Sequence, residues 1–402
     1  MNGPFIKAKP IIKKLNEAGF EAYFVGGSVR DYLLGRPIGD IDIATSALPE
    51  DIQNLFERTI PVGIKHGTIV VIHNEETYEV TTFRIDGVYK DFRRPSKVEF
   101  VTSLEKDLGR RDFTINAIAM DYNGMIIDPY DGKKDIQNKY IQTVGQPDDR
   151  FLEDPLRIMR AIRFVSQLNF NLSDETKKSI SKNAALLDKI SMERILIEFE
   201  KLLIGKAKVK AIRLIVELQV YHYLPQLSNK NKELIQLAEI CSSYSLPIDE
   251  MWTLLIQILN VQNIDNFFKQ WKSSNERIKT CKLLMNALTE LRQNDTLTAN
   301  LVYRHGYEVL KSSIKLHSIL ENKPAKLDKL QEIYGELPIL TRKELAVTGT
   351  DLMEWFNKEG GPWLSKTIEV VERAVVNKEV LNNKEQIKEW LLTCNPPFES
   401  NY

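Results

Sequence analysis

A chain of 402 residues is longer than one hydrophobic core usually supports, and at roughly 100–200 residues per domain it predicts two to four domains. With 43% hydrophobic and 27% charged residues the composition excludes a disordered chain. Lys plus Arg and Asp plus Glu number 55 each, so no net field marks a nucleic-acid partner, although a local basic patch fits within a neutral total. The first ten residues hold no apolar signal core, and the longest apolar run, 252–259, is far short of the ~20 residues of a membrane span, so a cytoplasmic protein outside any membrane is expected. Cys241, Cys281 and Cys394 are scattered, which suits buried thiols better than disulfides or zinc. Five isolated histidines, with no HExxH, argue in the same direction.

In chain order, the first ~140 residues read as mixed α/β. Apolar spacing predicts helices over Phe5–Ala18, Val29–Leu34 and Pro49–Phe56, the last opened by a proline suited to a first turn. Ala22–Val25, Asp40–Ile43, Thr68–Ile72 and Tyr78–Phe83 read as strands. Ala117–Tyr122 and Met125–Asp128 flank Asn123-Gly124 and predict a hairpin with a two-residue turn, hence a sheet with antiparallel pairs. After Gln146-Pro147 strands disappear from the reading. Helical spacing runs through Pro155–Leu168, Asp174–Leu187, Met192–Leu203 and Ala207–Leu218 and onward, with breaks at Leu224-Pro225, Leu246-Pro247 and 337–349. An α/β head followed by an α-helical remainder, without a fixed-period repeat, is the simplest architecture.

Four constellations carry chemistry. Gly26-Gly27-Ser28-Val29-Arg30-Asp31 stands at a strand-to-helix turn, where N–H groups and Arg30 suit a phosphate; taken alone, a tight turn with a Ser28 cap and an Arg30–Asp31 pair is the better account. About ten residues on, Asp40-Ile41-Asp42-Ile43 sends both carboxylates to one strand face and the isoleucines to the core. Two adjacent carboxylates repel unless a cation joins them, and magnesium, an oxygen-seeking ion shared between carboxylates and substrate phosphates, fits; Glu79 is a candidate third carboxylate. Such a site supports nucleotidyl transfer. In Arg110-Arg111-Asp112-Phe113-Thr114-Ile115-Asn116, Arg111 suits phosphate and Asp112 a ribose hydroxyl, with a plain ion pair as the alternative.

The fourth is Glu153-Asp154-Pro155-Leu156-Arg157, continuing to Arg160 and Arg163. Asp154 before Pro155 is a helix N-cap in its structural reading. Arg157 lies three residues on, on the same face, so that a carboxylate stands beside a guanidinium. Cytosine and adenine each set an amino donor beside a ring acceptor, which this pair matches. Guanine and uracil reverse the order and leave buried groups unpaired, at ~1–3 kcal/mol each. Arg160 and Arg163 extend a basic stripe suited to triphosphate.

Together these motifs resemble the class II tRNA nucleotidyltransferases and bacterial poly(A) polymerases, over roughly residues 20–205. The resemblance implies an α+β protein: a polymerase-β-like nucleotidyltransferase head with a mixed or antiparallel sheet (1–140), then an all-α neck (141–205), body (206–272) and tail (273–402). It implies magnesium chemistry on Asp40 and Asp42, and nucleotide binding by Gly27, Arg30, Arg111, Asp112, Asp154, Arg157, Arg160 and Arg163. CTP and ATP are the implied substrates and tRNA the implied partner. Val62-Gly63-Ile64-Lys65-His66-Gly67-Thr68 stands where poly(A) polymerases carry Gly-Arg-Arg-Phe, and a loop that CC-adding enzymes lack reads intact over Asp86–Pro95, which together favour full CCA addition. A-only or CC-only addition, poly(A) synthesis and a silent RNA-binding scaffold are the alternatives. In the helical half, Lys201, Lys206, Lys208, Lys210 and Arg213, and the turn Gly360-Gly361-Pro362, are candidate phosphate contacts or ordinary solvated surface.

Overall fold

A computed structural model describes residues 3–87, 98–294 and 296–393. The chain forms two compact units, 1–245 with 266–273, and 246–265 with 274–402.

The first unit is built on a seven-stranded mixed sheet. Its strands are β1 (Ala22–Val25), β2 (Asp42–Thr45), β3 (Thr59–Gly63), β4 (Thr68–His73) and β5 (Glu76–Thr82), then, after the β6–β7 ribbon (Arg84–Asp86 with Val98–Phe100), β8 (Ala119–Met120) and β9 (Ile126–Ile127). The order is β3-β4-β5-β2-β1-β8-β9. All neighbours are antiparallel except β2 and β5, whose parallel register sets Asp42 opposite Glu79. One sheet face packs Val25, Ala44, Ala117 and Ala119 against Phe83, Leu104, Leu108 and Val144. Helices α1 (Gly3–Glu17), α2 (Gly27–Leu33) and α3 (Pro49–Leu55) lie within a residue or two of their predicted bounds. The hairpin differs from expectation. Asp121 N–H donates to the Met125 carbonyl at 2.9 Å and Gly124 N–H to Asp121 O at 3.1 Å, so three residues form the loop, with Gly124 at φ 92°. That left-handed glycine is the bulge of a three-residue connection.

After α4 (Leu104–Gly109) and α5 (Gly132–Asn138) come α6 (Pro147–Glu153), α7 (Leu156–Leu168), α8 (Asp174–Asn183), α9 (Met192–Leu203), α10 (Lys208–Glu217) and α11 (Asn231–Ile240). Strands do not end with the head: β10 (Tyr140–Ile141) pairs in parallel with β11 (Asn171–Leu172). Helix α7 is buried on nearly every side, with Ile158, Met159, Ile162 and Val165 fully enclosed, which forces its arginines inward as well. Phe199 of α9 stacks on Trp271 at 4.7 Å.

The second unit is helical throughout the described residues, from α12 (Ile248–Leu259) to a C-terminal helix at Lys384–Thr393. One core gathers Leu291, Leu301, Val302, Leu310, Ile314 and Leu330, and another Val347, Leu352, Val371, Val375, Ile387 and Leu391. No described helix is long and apolar enough to cross a membrane. Cys241 and Cys281 are buried, as expected of thiols outside disulfides, and burial pushes the Cys241 thiol up to about 11.

Candidate active site

The glycine turn, the paired aspartates and the arginine motif meet at the end of β1. Gly26 has φ 73°, a left-handed conformation, and a Cβ there would stand 3.0 Å from Arg111 Nη1 and 3.6 Å from Asp42 Oδ2. Only glycine lets Arg111 approach Asp42 across the turn. Ser28 does not cap α2: its hydroxyl donates to the Val25 carbonyl at 3.0 Å. Arg30 grips Asp31 with Nε at 3.1 Å and Nη2 at 2.9 Å, and donates Nη1 to Asn116 Oδ1 at 2.6 Å. Arg111 is steadied from behind by Asp107, a 1% exposed residue of α4 that also takes the Arg110 side chain.

Asp42 opens β2, whereas Asp40 lies outside the strand in the irregular segment before it. The strand-face geometry expected for the pair is therefore corrected: Asp40 reaches the site from a loop. Ile41 and Ile43 enter the core as expected. Burial raises the Asp42 carboxyl to about 6; Arg111 opposes the shift, and the charges of Glu79 and Asp40 add to it. A buried carboxyl crowded by two others calls for more positive charge than Arg111 supplies, and a divalent cation with oxygen preference answers that need. Among the described residues no three acidic, His or Cys side chains gather tightly enough to hold a metal alone. Two carboxylates completed by phosphates and water match what magnesium accepts.

Asp112 is buried and saturated. Its Oδ1 accepts from the Phe113 N–H at 2.8 Å and Asn116 Nδ2 at 2.9 Å, and its Oδ2 from Arg160 through Nε at 2.8 Å and through Nη2. Burial alone would raise its carboxyl; the Arg160 charge and these bonds outweigh burial and hold it well below the usual carboxylate range.

Asp154 and Arg157 both border the cavity, but each is held by another partner. Asp154 closes α6 and accepts the Leu156 N–H at 3.1 Å, a variant of the expected N-cap one residue out of register. Its carboxylate meets Arg194 of α9 at 2.7 and 3.3 Å. Arg157, 7% exposed, pairs with Glu153 and donates to the carbonyls of Arg150 and Arg110 at 3.1 Å each. Arg163 pairs with Glu198 of α9, and Arg30, Arg160 and Arg163 face the Phe164 ring at 5.1, 5.6 and 4.0 Å.

These groups line one cavity of about 500 Å³, in which eight arginines stand against four aspartates. The walls are thus mainly cationic although the whole chain is neutral, with Asp31, Asp107, Glu153 and Glu198 pairing arginines from behind them, which suits a polyanion. A second cavity of about 560 Å³ shares Gly27 and Asp42 with it and is bordered by Asp40 and Glu79. Every candidate nucleotide-binding residue lies on the first cavity; Asp40 lies on the second.

Residues 22–142 match the poly A polymerase head domain, 169–230 the "Probable RNA and SrmB- binding site of polymerase A" and 247–391 the "tRNA nucleotidyltransferase domain 2 putative". The chain is 48% identical to the CCA-adding enzyme of Geobacillus sp. (strain WCH70), over 98% of each chain, and 48% identical to that of Anoxybacillus flavithermus, over 100% of each. The chain belongs to the CCA-adding enzyme family of nucleotidyltransferases. The crystal structure of the Bacillus stearothermophilus CCA-adding enzyme in complex with CTP superposes with a TM-score of 0.91 at 45% identity, covering 98% of both chains. The α+β class with a polymerase-β-like head thus holds for this member of the family.

Other residues of this CCA-adding family member were given no role by the sequence reading, although Asn116 and Glu153 stand inside its motifs. Arg84, Asp86 and Arg194 border the main cavity, and Asn116, Glu153, Asp107 and Glu198 hold its side chains. Glu198 left a readable signal, a charge on the α9 stripe shared with Ile195, Phe199 and Leu202. The basic run is not one solvated stripe: Lys201, Lys206 and Arg213 are exposed but Lys208 is 7% exposed. Gly360 and Gly361 are exposed before the helix Pro362–Val376. The loop at 86–95 lies, from residue 88 on, outside the described residues.

Proposed function

We propose that this protein adds C, C and A to the 3′ end of tRNA from CTP and ATP, without a nucleic-acid template, and releases pyrophosphate. The observation that carries the reading is the union, on one arginine-rich cavity, of Asp42, the Gly27–Arg30 turn, Arg111 with Asp112, and the Asp154–Arg163 stretch.

The tRNA 3′-hydroxyl oxygen bonds to the α-phosphorus as the bond to the β-phosphate oxygen breaks; the hydroxyl proton passes to solvent and the electron pair leaves with pyrophosphate. Asp40 and Asp42 would hold magnesium, which supplies activation of the hydroxyl and charge stabilisation for in-line displacement. Arg30, Arg111, Arg160 and Arg163 take the triphosphate, with Gly27 leaving room for close approach. Asp112 accepts from the ribose. Asp154 accepts the amino group of cytosine or adenine and Arg157 donates to the neighbouring ring acceptor, each after exchanging a bond with its present partner. A nucleotide that fails to offer that pattern leaves both ions desolvated. The head, neck, body and tail divisions at 140, 205 and 272, a tRNA-holding role for the residues beyond 205, and a cytoplasmic setting complete the reading.

Incubation of the protein with tRNA lacking its CCA end, magnesium and each labelled nucleotide tests it. CTP and ATP incorporation that stops after three residues is expected. Equal use of UTP and GTP would sink the base-reading mechanism, and unlimited AMP addition to unrelated RNA would make the protein a poly(A) polymerase instead.

A further inference from the structure

The arginines of the main cavity differ in how many of their side-chain donors are already engaged. Arg30 makes three hydrogen bonds, to Asp31 and Asn116, and Arg157 makes three, to Glu153 and two carbonyls. Among the described residues the Arg111 side chain makes a single one, from Nη2 to Asp107 at 3.2 Å. Its Nε is buried without a partner. A buried donor left unmade is costly, and its presence on the wall of a cavity marks a group waiting for an acceptor.

Asp107 decides where those unused donors stand. The Arg111 backbone is fixed separately, its N–H donating to the Leu108 carbonyl at 3.2 Å, so the carboxylate sets the direction of the side chain alone. Asp107 does not border the cavity. Its Oδ1 accepts from Arg110 Nε at 2.9 Å and from the backbone N–H of Arg84, at the start of β6, at 3.3 Å. Its Oδ2 is left for Arg111. Burial works against the ionised form, but the charges of Arg110 and Arg111 and their bonds outweigh it and hold the carboxyl below its ordinary value. An anchor fastened on one oxygen to two other elements has little freedom to follow Arg111, so Arg111 follows it.

We infer that Asp107 is a positioning residue for the triphosphate: from behind the cavity wall it aims the Arg111 guanidinium at the two outer phosphates, which leave as pyrophosphate. The inference rests on the nucleotide-site reading above, in which the α-phosphate lies at the metal-holding carboxylates and the outer charge falls to the arginines. It makes Asp107 a determinant of triphosphate over monophosphate without touching the nucleotide.

The test measures, on the full chain, affinities for CTP, CMP and inorganic pyrophosphate, with kcat and KM for CMP incorporation into tRNA lacking CCA. In Asp107→Asn the amide oxygen belongs where two donors converge, which turns the amide NH2 against Arg111. Asp107→Asn and Asp107→Ala should each weaken CTP and pyrophosphate binding by about tenfold, the factor expected when a bond between charged groups is lost. CMP affinity should change by less than about threefold. Arg111→Ala should weaken CTP and pyrophosphate at least as much by itself, and adding Asp107→Asn should weaken them no further. Unchanged CTP and pyrophosphate affinities in the Asp107 variants overturn the inference, as does an equal loss for CMP, the mark of a merely structural residue. If Asp107→Ala does not fold, the isosteric Asp107→Asn decides. A wild-type protein that incorporates no CMP would overturn the nucleotidyl-transfer reading, and the pyrophosphate affinity and the CTP/CMP ratio would still decide the role of Asp107.

Discussion

The two units handle buried charge in opposite ways. In the second, Glu372 and Asp351 are closed off within its own structure: Glu372 takes the Arg342 fork at 2.7–3.2 Å and the Tyr303 hydroxyl, and Asp351 caps its helix through Thr348 and pairs with Lys384. Around the main cavity of the first, Asp112, Arg157, Arg163 and Glu198 are all under 10% exposed, yet arginines still outnumber aspartates two to one on the walls. Burying a cation is expensive unless it is paired, and here the remaining counter-charges are set back from the walls: Asp31, Asp107, Glu153 and Glu198 pair with Arg30, Arg111, Arg157 and Arg163, so that cationic groups face the cavity. Buried charge by itself therefore says little; the sign that faces the cavity says what enters.

That contrast predicts that the first unit can lose activity without losing stability. The largest effect is expected from Asp42→Ala. Incorporation should fall by on the order of 10³-fold or more, while tRNA binding persists and the melting temperature does not drop, because burial and the neighbouring carboxylates already disfavour the ionised Asp42 side chain. Wild-type turnover would remove Asp42 from the mechanism; a large fall in melting temperature would make it a structural residue. Arg157→Ala should act on both properties. Preference for CTP and ATP over UTP and GTP should weaken by about tenfold or more, and stability should fall by ~1–3 kcal/mol, because Glu153 and two carbonyls lose their donor. Unchanged preference with the stability loss alone would leave Arg157 a strut.

How far these roles were readable depended on the range of the interaction. Helix α9 spans Met192–Leu203 as its apolar spacing predicts, and the glycine turn sits where Gly26-Gly27 marks it, because both are decided by a few neighbours in sequence. The motif residues were likewise legible, since each carries its chemistry in its own side chain. Partners brought from afar were not. Nothing near residue 42 announces that β5 pairs with β2 in parallel and sets Glu79 opposite Asp42. Nothing near 154 announces Arg194, forty residues on, as the cation that holds it. Two-residue strands such as β10 and β11 exist only because their neighbours lend them hydrogen bonds, and no periodicity can show in two residues. Asp40 was misplaced for a related reason: alternation of Asp and Ile suggests a strand, but pairing with β1 begins only at Asp42.

The smallest effect sharpens the contrast from the other side. Asp351 accepts the Thr348 N–H and hydroxyl at 2.8 Å each at the start of the helix Gly349–Phe356, and the Lys384 bond, followed by these two, lowers its carboxyl to about 2. Asp351→Ala should weaken protection of the 349–356 amides to hydrogen exchange by about 1 kcal/mol, the usual worth of a cap. A depressed carboxyl contributes stability that is complete above its unfolded value, near 4, and is lost as pH falls from there toward 2. Wild type and variant should therefore differ at pH 7 and converge near pH 2, while KM for CTP stays the same at neutral pH. A difference that persists at pH 2 would mean that packing, not the ionised cap, holds the helix. A raised KM would mean that the charges of the second unit are not closed upon themselves after all.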